Sequence, residues 1–341
     1  MFPKVIVDGL RAGNFKKIVV LTGAGCSVSS GIPDFRSPGG FYDSLRPELI
    51  TATPDEKHAM SMEPSLVVDI NLFEKNQFPY LEVRRPFILG TIDKMWKPTL
   101  THFFFKLLDD KGMLQRIYTQ NIDGLDYHTG ISAERVVSVH GSINTMSCER
   151  CKAPYPTDEF RAALTGSIKN IYDPSDSDAP SVSKNIPCNS CGEPMVKPDT
   201  VLFGTSLPER FFESSSEDFP DNADLLLISG TSLVVSPANT LVRRVQSNST
   251  YLYFHYCFSL LPRQVAGKTM RVVVNLEPVG MREGLDYEWE LNGVKRDYLI
   301  RSHSDEAFLE LAKELGWTEE LMAYRDQMAP SSQQLLSVVN S

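Results

Sequence analysis

The sequence predicts an α/β fold, a buried parallel sheet that carries a smaller inserted lobe. Five short apolar runs recur along the 341 residues, with helical stretches between them. Each run ends in a polar or glycine-rich cluster. Two C-x-x-C pairs, Cys148/Cys151 and Cys188/Cys191, interrupt the pattern between the third run and the fourth. Unbroken apolar runs of strand length belong to strands covered on both faces, and such sheets are parallel. Ligands bind such sheets at the carboxyl ends of the strands. Five polar strand ends therefore point to one crevice.

The first run, KIVVLT at 17–22, leads into Gly23, Ala24, Gly25, Cys26, Ser27 and Val28. A strand followed by a glycine turn reads as a dinucleotide site. The usual fingerprint has a third glycine where this chain has Val28. Asp34, Phe35 and Arg36 follow instead. Residues 37–98 read as helical and irregular, opened by Pro38, Gly39 and Gly40. Two more runs end in Gln120, Asn121, Ile122 and Asp123, and in His140, Gly141 and Ser142. The fourth and fifth end in Gly230, Thr231 and Ser232, and in Asn275, Leu276 and Glu277. DEAFLELAKELGW at 305–317 has helical spacing, with Gly316 at a C-cap position.

Composition bounds the rest. The chain is 42% apolar and 23% charged, with a net charge of −9. That balance argues against a nucleic-acid or anionic-membrane surface and suits a basic protein segment as partner. No apolar run approaches the roughly 20 residues of a membrane helix. The first 17 residues lack the roughly 7–15-residue apolar core of a signal peptide. Without a secretory signal, paired cysteines read as metal ligands rather than disulfides, so a cytoplasmic or nuclear location is expected.

Two C-x-x-C pairs can surround one tetrahedral zinc. The 36 residues between them exceed the ribbon pattern's spacer. Four thiolates leave no open coordination position, so the zinc is read as structural. Cys257 lies in an apolar run and reads as a core thiol. A helix N-terminus after the glycine turn would lower the Cys26 pKa, but no neighbouring motif residue is a base. Of six histidines, only His140 follows an apolar strand at a small turn. That placement suits a general base. His102 reads as a packed or capping helix residue.

Together GAGCSVSSGIPDFRS, TQNIDGLDYHTG, VHGS, the paired cysteines, KPDTVLFGTSLP, GTSLVVSPANTL and the late NLE resemble the sirtuins, NAD-dependent protein-lysine deacylases. The likeness keeps its order over roughly residues 10–320. FRSPGGFYDSL and PTLTHFFFKLL are most similar to the eukaryotic cytosolic and nuclear deacetylase branch. The resemblance implies a Rossmann-like sheet at 1–36, 99–145 and 200–328. It implies a helical cofactor-loop module at 37–98 and a zinc module at 146–199, the two making up the inserted lobe. Residues 329–341 are left as a flexible tail. It also implies NAD consumed as co-substrate and one structural zinc.

By the same likeness, Ala24, Gly25, Cys26, Ser27 and Val28 line the phosphate and ribose side, helped by the positive end of a following helix. Asp34, Phe35 and Arg36 lie over the nicotinamide ribose. Gln120, Asn121, Ile122 and Asp123 hold the nicotinamide amide and the ribose, with Asn121 counted beside His140 as catalytic. Thr231 and Ser232 contact phosphate, Asn275, Leu276 and Glu277 the adenosine ribose, and Ser304 the adenine. Substrate enters as a strand between 201–205 and 233–236, touching Val201, Phe203, Gly204 and Val235. Acetylated proteins such as histones or tubulin are the implied partners. Neither a membrane nor direct nucleic-acid binding is expected.

Three features depart from the family pattern. Thr205 stands where glutamate is usual, the cysteine spacer is long, and the run at 249–268 is longer and more apolar. That run reads as an extra element, a partner patch or a sequence artefact. Acyl preference stays open. Residues 73–80 hold no clear tyrosine–arginine pair for an acidic acyl group, and Arg84 and Arg85 stand too far along. Other readings of the fold are a mono-ADP-ribosyltransferase, a binding module and a hydride-transferring dehydrogenase.

Overall fold

The computed structural model describes residues 1–34, 39–219, 221–244, 269–291 and 294–338. Phe35, Arg36 and the run at 249–268 with its Cys257 lie outside the described residues.

Eleven described strands follow one another along the chain. They are β1 (Ile18–Thr22), β2 (Leu114–Thr119), β3 (Val136–Ser138), β4 (Gly141–Cys148), β5 (Pro154–Tyr155) and β6 (Val196–Thr200). Then come β7 (Leu225–Ser229), β8 (Met270–Asn275), β9 (Glu290–Leu291), β10 (Val294–Lys295) and β11 (Asp297–Arg301). Six of them form a sheet in the order β11-β8-β7-β1-β2-β3. Every pairing within it is parallel. The chain builds outward from β1 to β3, then returns to place β7 on the other side of β1. The strand order reverses between β1 and β7, and a crevice opens at such a switch point.

Helices cover both faces. They run α1 (Lys4–Arg11), α2 (Pro54–Met62), α3 (Ile70–Lys75), α4 (Phe78–Ile92), α5 (Leu100–Asp110) and α6 (Leu125–His128). The rest are α7 (Thr157–Ser167), α8 (Glu209–Asp218), α9 (Leu241–Arg244), α10 (Ser304–Leu315), α11 (Thr318–Met322) and α12 (Pro330–Ser337). The strands obey the period of two expected of a pleat. Ile18, Val20, Ile117, Leu225, Leu227, Val272 and Val274 enter one core with α1, α5 and α10. Val19, Leu21, Tyr118, Val137, Leu226, Ile228 and Val273 enter the other, with Phe211 of α8 and Leu241 of α9. Burying both faces explains why the runs read as continuously apolar.

The inserted lobe has a third core. Phe73 and Tyr80 from the helical stretch share it with Ile143, Met146, Phe160 and Val196 from the cysteine-bearing stretch. Strands β5-β4-β6 form its antiparallel sheet. Glu82 of α4 is fully buried and joins the two parts. It accepts from Thr51 N (2.7 Å) and from Ser183 Oγ (2.5 Å). A buried carboxylate is tolerated when its oxygens find such donors.

Three differences from the sequence reading stand out. Strand β11 was not foreseen; its burial is broken along its length, as suits the sheet edge beside β8. The expected tail is helical from 330 to 337, with Ser332 and Leu336 buried. Ser332 Oγ donates to Asp305 Oδ2 (2.6 Å) and accepts from Leu100 N (3.1 Å), which anchors α12 beside α5 and α10. The helix expected after the glycine turn is absent; two three-residue 3-10 turns stand there. Gly316 does end α10, at φ 76°.

Candidate active site

The tips of β1 and β7 meet through backbone alone. Gly23 N donates to Ser229 O (3.0 Å), and Gly25 N to Gly230 O (2.9 Å). A Cβ on Gly25 would lie 2.6 Å from Gly230 Cα, and one on Gly23 2.6 Å from Gly230 O. Only glycine allows this approach, which is why the first two glycines of the fingerprint remain. Val28 stands where the third would be, partly exposed and lining the cavity.

That cavity has a volume of about 670 Å³, within the range of small-molecule sites. All five strand tips reach it. Ala24 and Gly25 follow β1; Gln120, Asn121 and Ile122 follow β2; His140 follows β3. Thr231 and Ser232 follow β7, and Asn275, Leu276 and Glu277 follow β8. Asp34, Val201, Phe203, Gly204, Val235 and Ser304 of the foreseen set line it too.

Hydrogen bonds hold the tips in register. Gln120 Nε2 donates to Thr231 Oγ1 (2.9 Å), and Asn121 Nδ2 donates to Gly23 O and Ser27 Oγ (3.1 Å each). Ser27 Oγ donates to Asp123 Oδ2 (2.7 Å). Ser304 at the start of α10 bonds Ser229 Oγ (2.9 Å). His140 Nδ1 lies 2.9 Å from Gln120 O. A carbonyl only accepts, so Nδ1 carries the proton and Nε2 is the basic nitrogen. Beyond His140, Gly141 has φ 76°, and a Cβ there would lie 2.0 Å from Asp199 O. The imidazole is thus aimed by a turn that excludes side chains.

A model of the Sir2 family matches residues 23–237, which include every strand tip named here except that of β8. The chain belongs to the Sir2 family. It is 34% identical over 324 residues to NAD-dependent protein deacetylase sirtuin-2 of Danio rerio, covering 92% of this chain and 71% of that relative. It is 32% identical over 314 residues to NAD-dependent protein deacetylase hst2 of Schizosaccharomyces pombe, covering 92% and 76%. Against NAD-dependent protein deacetylase sirtuin-3 of Mus musculus the identity is 33% over 319 residues, covering 93% and 77%.

Within this Sir2-family site, three foreseen residues stand behind the cavity wall. Cys26, Ser27 and Asp123 are buried and do not line the cavity. Burial pushes the Cys26 thiol up to about 12. With no helix N-terminus beside it, the thiolate needed for a nucleophile does not form near neutrality. Burial also raises Asp123, opposed by nearby His102, which burial lowers. His102 sits in the first turn of α5, where Nδ1 accepts from Thr99 N (3.2 Å). That is the capping role its position suggested.

The cavity also takes residues that the sequence did not single out, among them Tyr42, Val68 and Thr200, and it takes Arg84 of α4. Val68 arrives because its carbonyl accepts from Phe203 N (2.8 Å), while Ile70 N donates to Phe203 O (3.0 Å). Such a long-range pairing leaves no sequence signal.

The four paired cysteines converge in the lobe, with all their sulfurs within 4.8 Å of one another. Cys148 and Cys191 are 3.7 Å apart, as are Cys151 and Cys188. A tetrahedron with zinc–sulfur bonds of about 2.3 Å has edges of about 3.8 Å, so the donor set fits zinc. A disulfide needs about 2.05 Å. Each pair sits on a matching turn, with Lys152 N on Cys148 O and Gly192 N on Cys188 O (2.9 Å each). Lys152 and Gly192 both have positive φ. None of the four cysteines lines the cavity. Bound there, zinc would cross-link β4 to the 188–191 turn and take no part in the chemistry.

Proposed function

We propose that the protein removes acetyl groups from lysines of other proteins by transfer to NAD. Acetyl-lysine, NAD and water give lysine, nicotinamide and O-acetyl-ADP-ribose. The observation that carries this reading is the position of His140. One cavity joins its imidazole to the strand tips that suit a dinucleotide and to the 201–205 segment that suits a peptide. NAD supplies the electrophilic ribose carbon and the departing nicotinamide. The chain supplies position, proton transfer and exclusion of water.

In this reading the close-packed backbone at Gly23, Gly25 and Gly230 lets the pyrophosphate approach, with Thr231 and Ser232 beside it. Asn275, Leu276, Glu277 and Ser304 take the adenosine end. Asn121, pinned through its Nδ2, orients the nicotinamide amide and ribose together with Gln120 and Ile122. Asp34 belongs over the nicotinamide ribose. His140 Nε2 accepts the proton of a ribose hydroxyl as that hydroxyl attacks the acyl carbon.

The peptide enters between 201–205 and 233–236. Phe203 spends both backbone groups on Val68 and Ile70. A segment already bridged on one side in this way supports strand addition beside it. Protein substrates follow from this mode, with acetylated histones or tubulin among the candidates. Among the described residues no helix is long and apolar enough to cross a membrane. We place the protein in the cytoplasm or nucleus, where unoxidised paired cysteines hold zinc.

His140→Ala tests the assignment. With saturating NAD and an acetyl-lysine peptide, the expected deacetylation rate falls by about 10²–10⁴-fold. A variant that keeps the wild-type rate would remove His140 from the reaction.

A further inference from the structure

The glycine turn after β1 has little regular structure of its own. Its two 3-10 stretches, Ala24–Cys26 and Val28–Ser30, are three residues each. Such short stretches have poorer hydrogen-bond geometry than an α-helix. Yet Ala24, Gly25 and Val28 all line the cavity, so their placement matters to whatever binds there.

Part of the support comes from behind, from the 97–99 stretch before α5 and from α12. Thr99 Oγ1 donates to Cys26 O (3.0 Å), and Ser30 Oγ donates to Lys97 O (2.6 Å). Between them, Ser331 Oγ of α12 donates to Ser29 O. Helix α12 also fastens the 97–99 stretch itself. Ala329 N, at the start of α12, donates to Pro98 O (2.8 Å), and Lys97 Nζ donates to Asp326 O (3.1 Å).

Ser332, fully buried, stands where these segments meet. Its hydroxyl accepts from Leu100 N, the first residue of α5, and donates to Asp305 of α10. The other oxygen of Asp305 accepts from Thr101 N (3.0 Å) and Thr101 Oγ1 (2.6 Å). Asp305 follows Ser304, which lines the cavity. One hydroxyl thus ties the starts of α5 and α10 together. No residue of α12 lines the cavity, so the helix can act on a ligand there only through the segments it holds.

We propose that α12 is a clasp that sets the glycine turn for NAD, with Ser331 and Ser332 as positioning residues. The inference rests on the NAD-dependent reading above and adds the last described helix to the support of that cofactor. A turn already held from behind loses less freedom when its ligand binds, and that preorganisation strengthens binding. The 201–205 segment is fastened elsewhere, by Val68 and Ile70, so the clasp acts on the cofactor and not on the peptide.

The test compares full-length wild type with Ser331→Ala and Ser332→Ala. NAD and an acetyl-lysine peptide are varied in turn, and NAD binding is measured by calorimetry. Ser332→Ala strands Leu100 N and one Asp305 oxygen, and the KM for NAD is expected to rise about fivefold or more. Ser331→Ala removes one hydrogen bond, and a rise of about twofold is expected. The Kd for NAD is expected to rise with its KM, and the KM for the peptide to stay at the wild-type value. A helix that only stabilises the fold would lower the melting temperature and the active fraction and leave both KM values alone. That result overturns the inference, and so does a rise of both KM values together. Ser331 is exposed, so Ser331→Ala decides the matter should Ser332→Ala fail to fold. NAD binding that neither variant weakens overturns this inference alone. A wild type that binds no NAD overturns the NAD-dependent reading and this inference with it.

Discussion

The Gln120 carbonyl decides which nitrogen of His140 is basic, and so which one can take a proton in the cavity. A histidine at a strand end was readable in the sequence; its tautomer was not, because the partner is a backbone atom from another strand. Asp126 was not singled out at all, yet burial raises its carboxyl to about 6, with Thr119 offsetting only part. A raised acid destabilises the fold once ionised. The penalty is absent below about pH 4, grows as pH rises through 6 and is complete above it. A shift of two pKa units is on the order of 3 kcal/mol. Asp126→Asn is therefore expected to raise the unfolding midpoint at pH 7.5, with the gain shrinking towards pH 4.5. Urea melts of both proteins across that range check it, and a gain that does not vary with pH would rule out ionisation of Asp126 as its cause.

Among the elements, the buried strands were the most legible, because burial on both faces demands unbroken apolar runs. Strand β11 escaped because an edge strand carries no such run. Helix α12 escaped because it is short and mostly polar, anchored by Ser332 and Leu336 rather than by an apolar stripe. The glycine turn was legible as a dinucleotide signal, but the α-helix expected after it was not there. What remains is the backbone approach of Gly25 to Gly230, which no side chain could share. The cysteine turns were legible from spacing alone, even with 36 residues between the pairs. Their convergence predicts a metal-dependent lobe. Purified protein is expected to carry about one zinc per chain, and Cys188→Ser to lose it and melt at lower temperature. Elemental analysis with thermal melts measures both, and a zinc-free wild type with an unchanged melting point would remove the structural role.

Across the whole molecule, the proposed function assigns the cofactor side to the sheet and the peptide side to the edge framed by the inserted lobe. Val68 paired with Phe203, and Tyr80 with Thr200, bind that lobe to the wall of the cavity. The coarse plan was legible because strand tips, cysteine pairs and the sirtuin motifs keep their order along the chain. The two contacts just named were not, since each joins residues more than a hundred positions apart. Lysine deacetylation by transfer to NAD makes one demand on the intact protein. Nicotinamide, deacetylated peptide and O-acetyl-ADP-ribose must appear together. Mass spectrometry of a reaction with NAD and an acetyl-lysine peptide measures all three. Equal amounts of each are the expected result. Nicotinamide release with ADP-ribose attached to protein, or no loss of acetyl from the peptide, would contradict it.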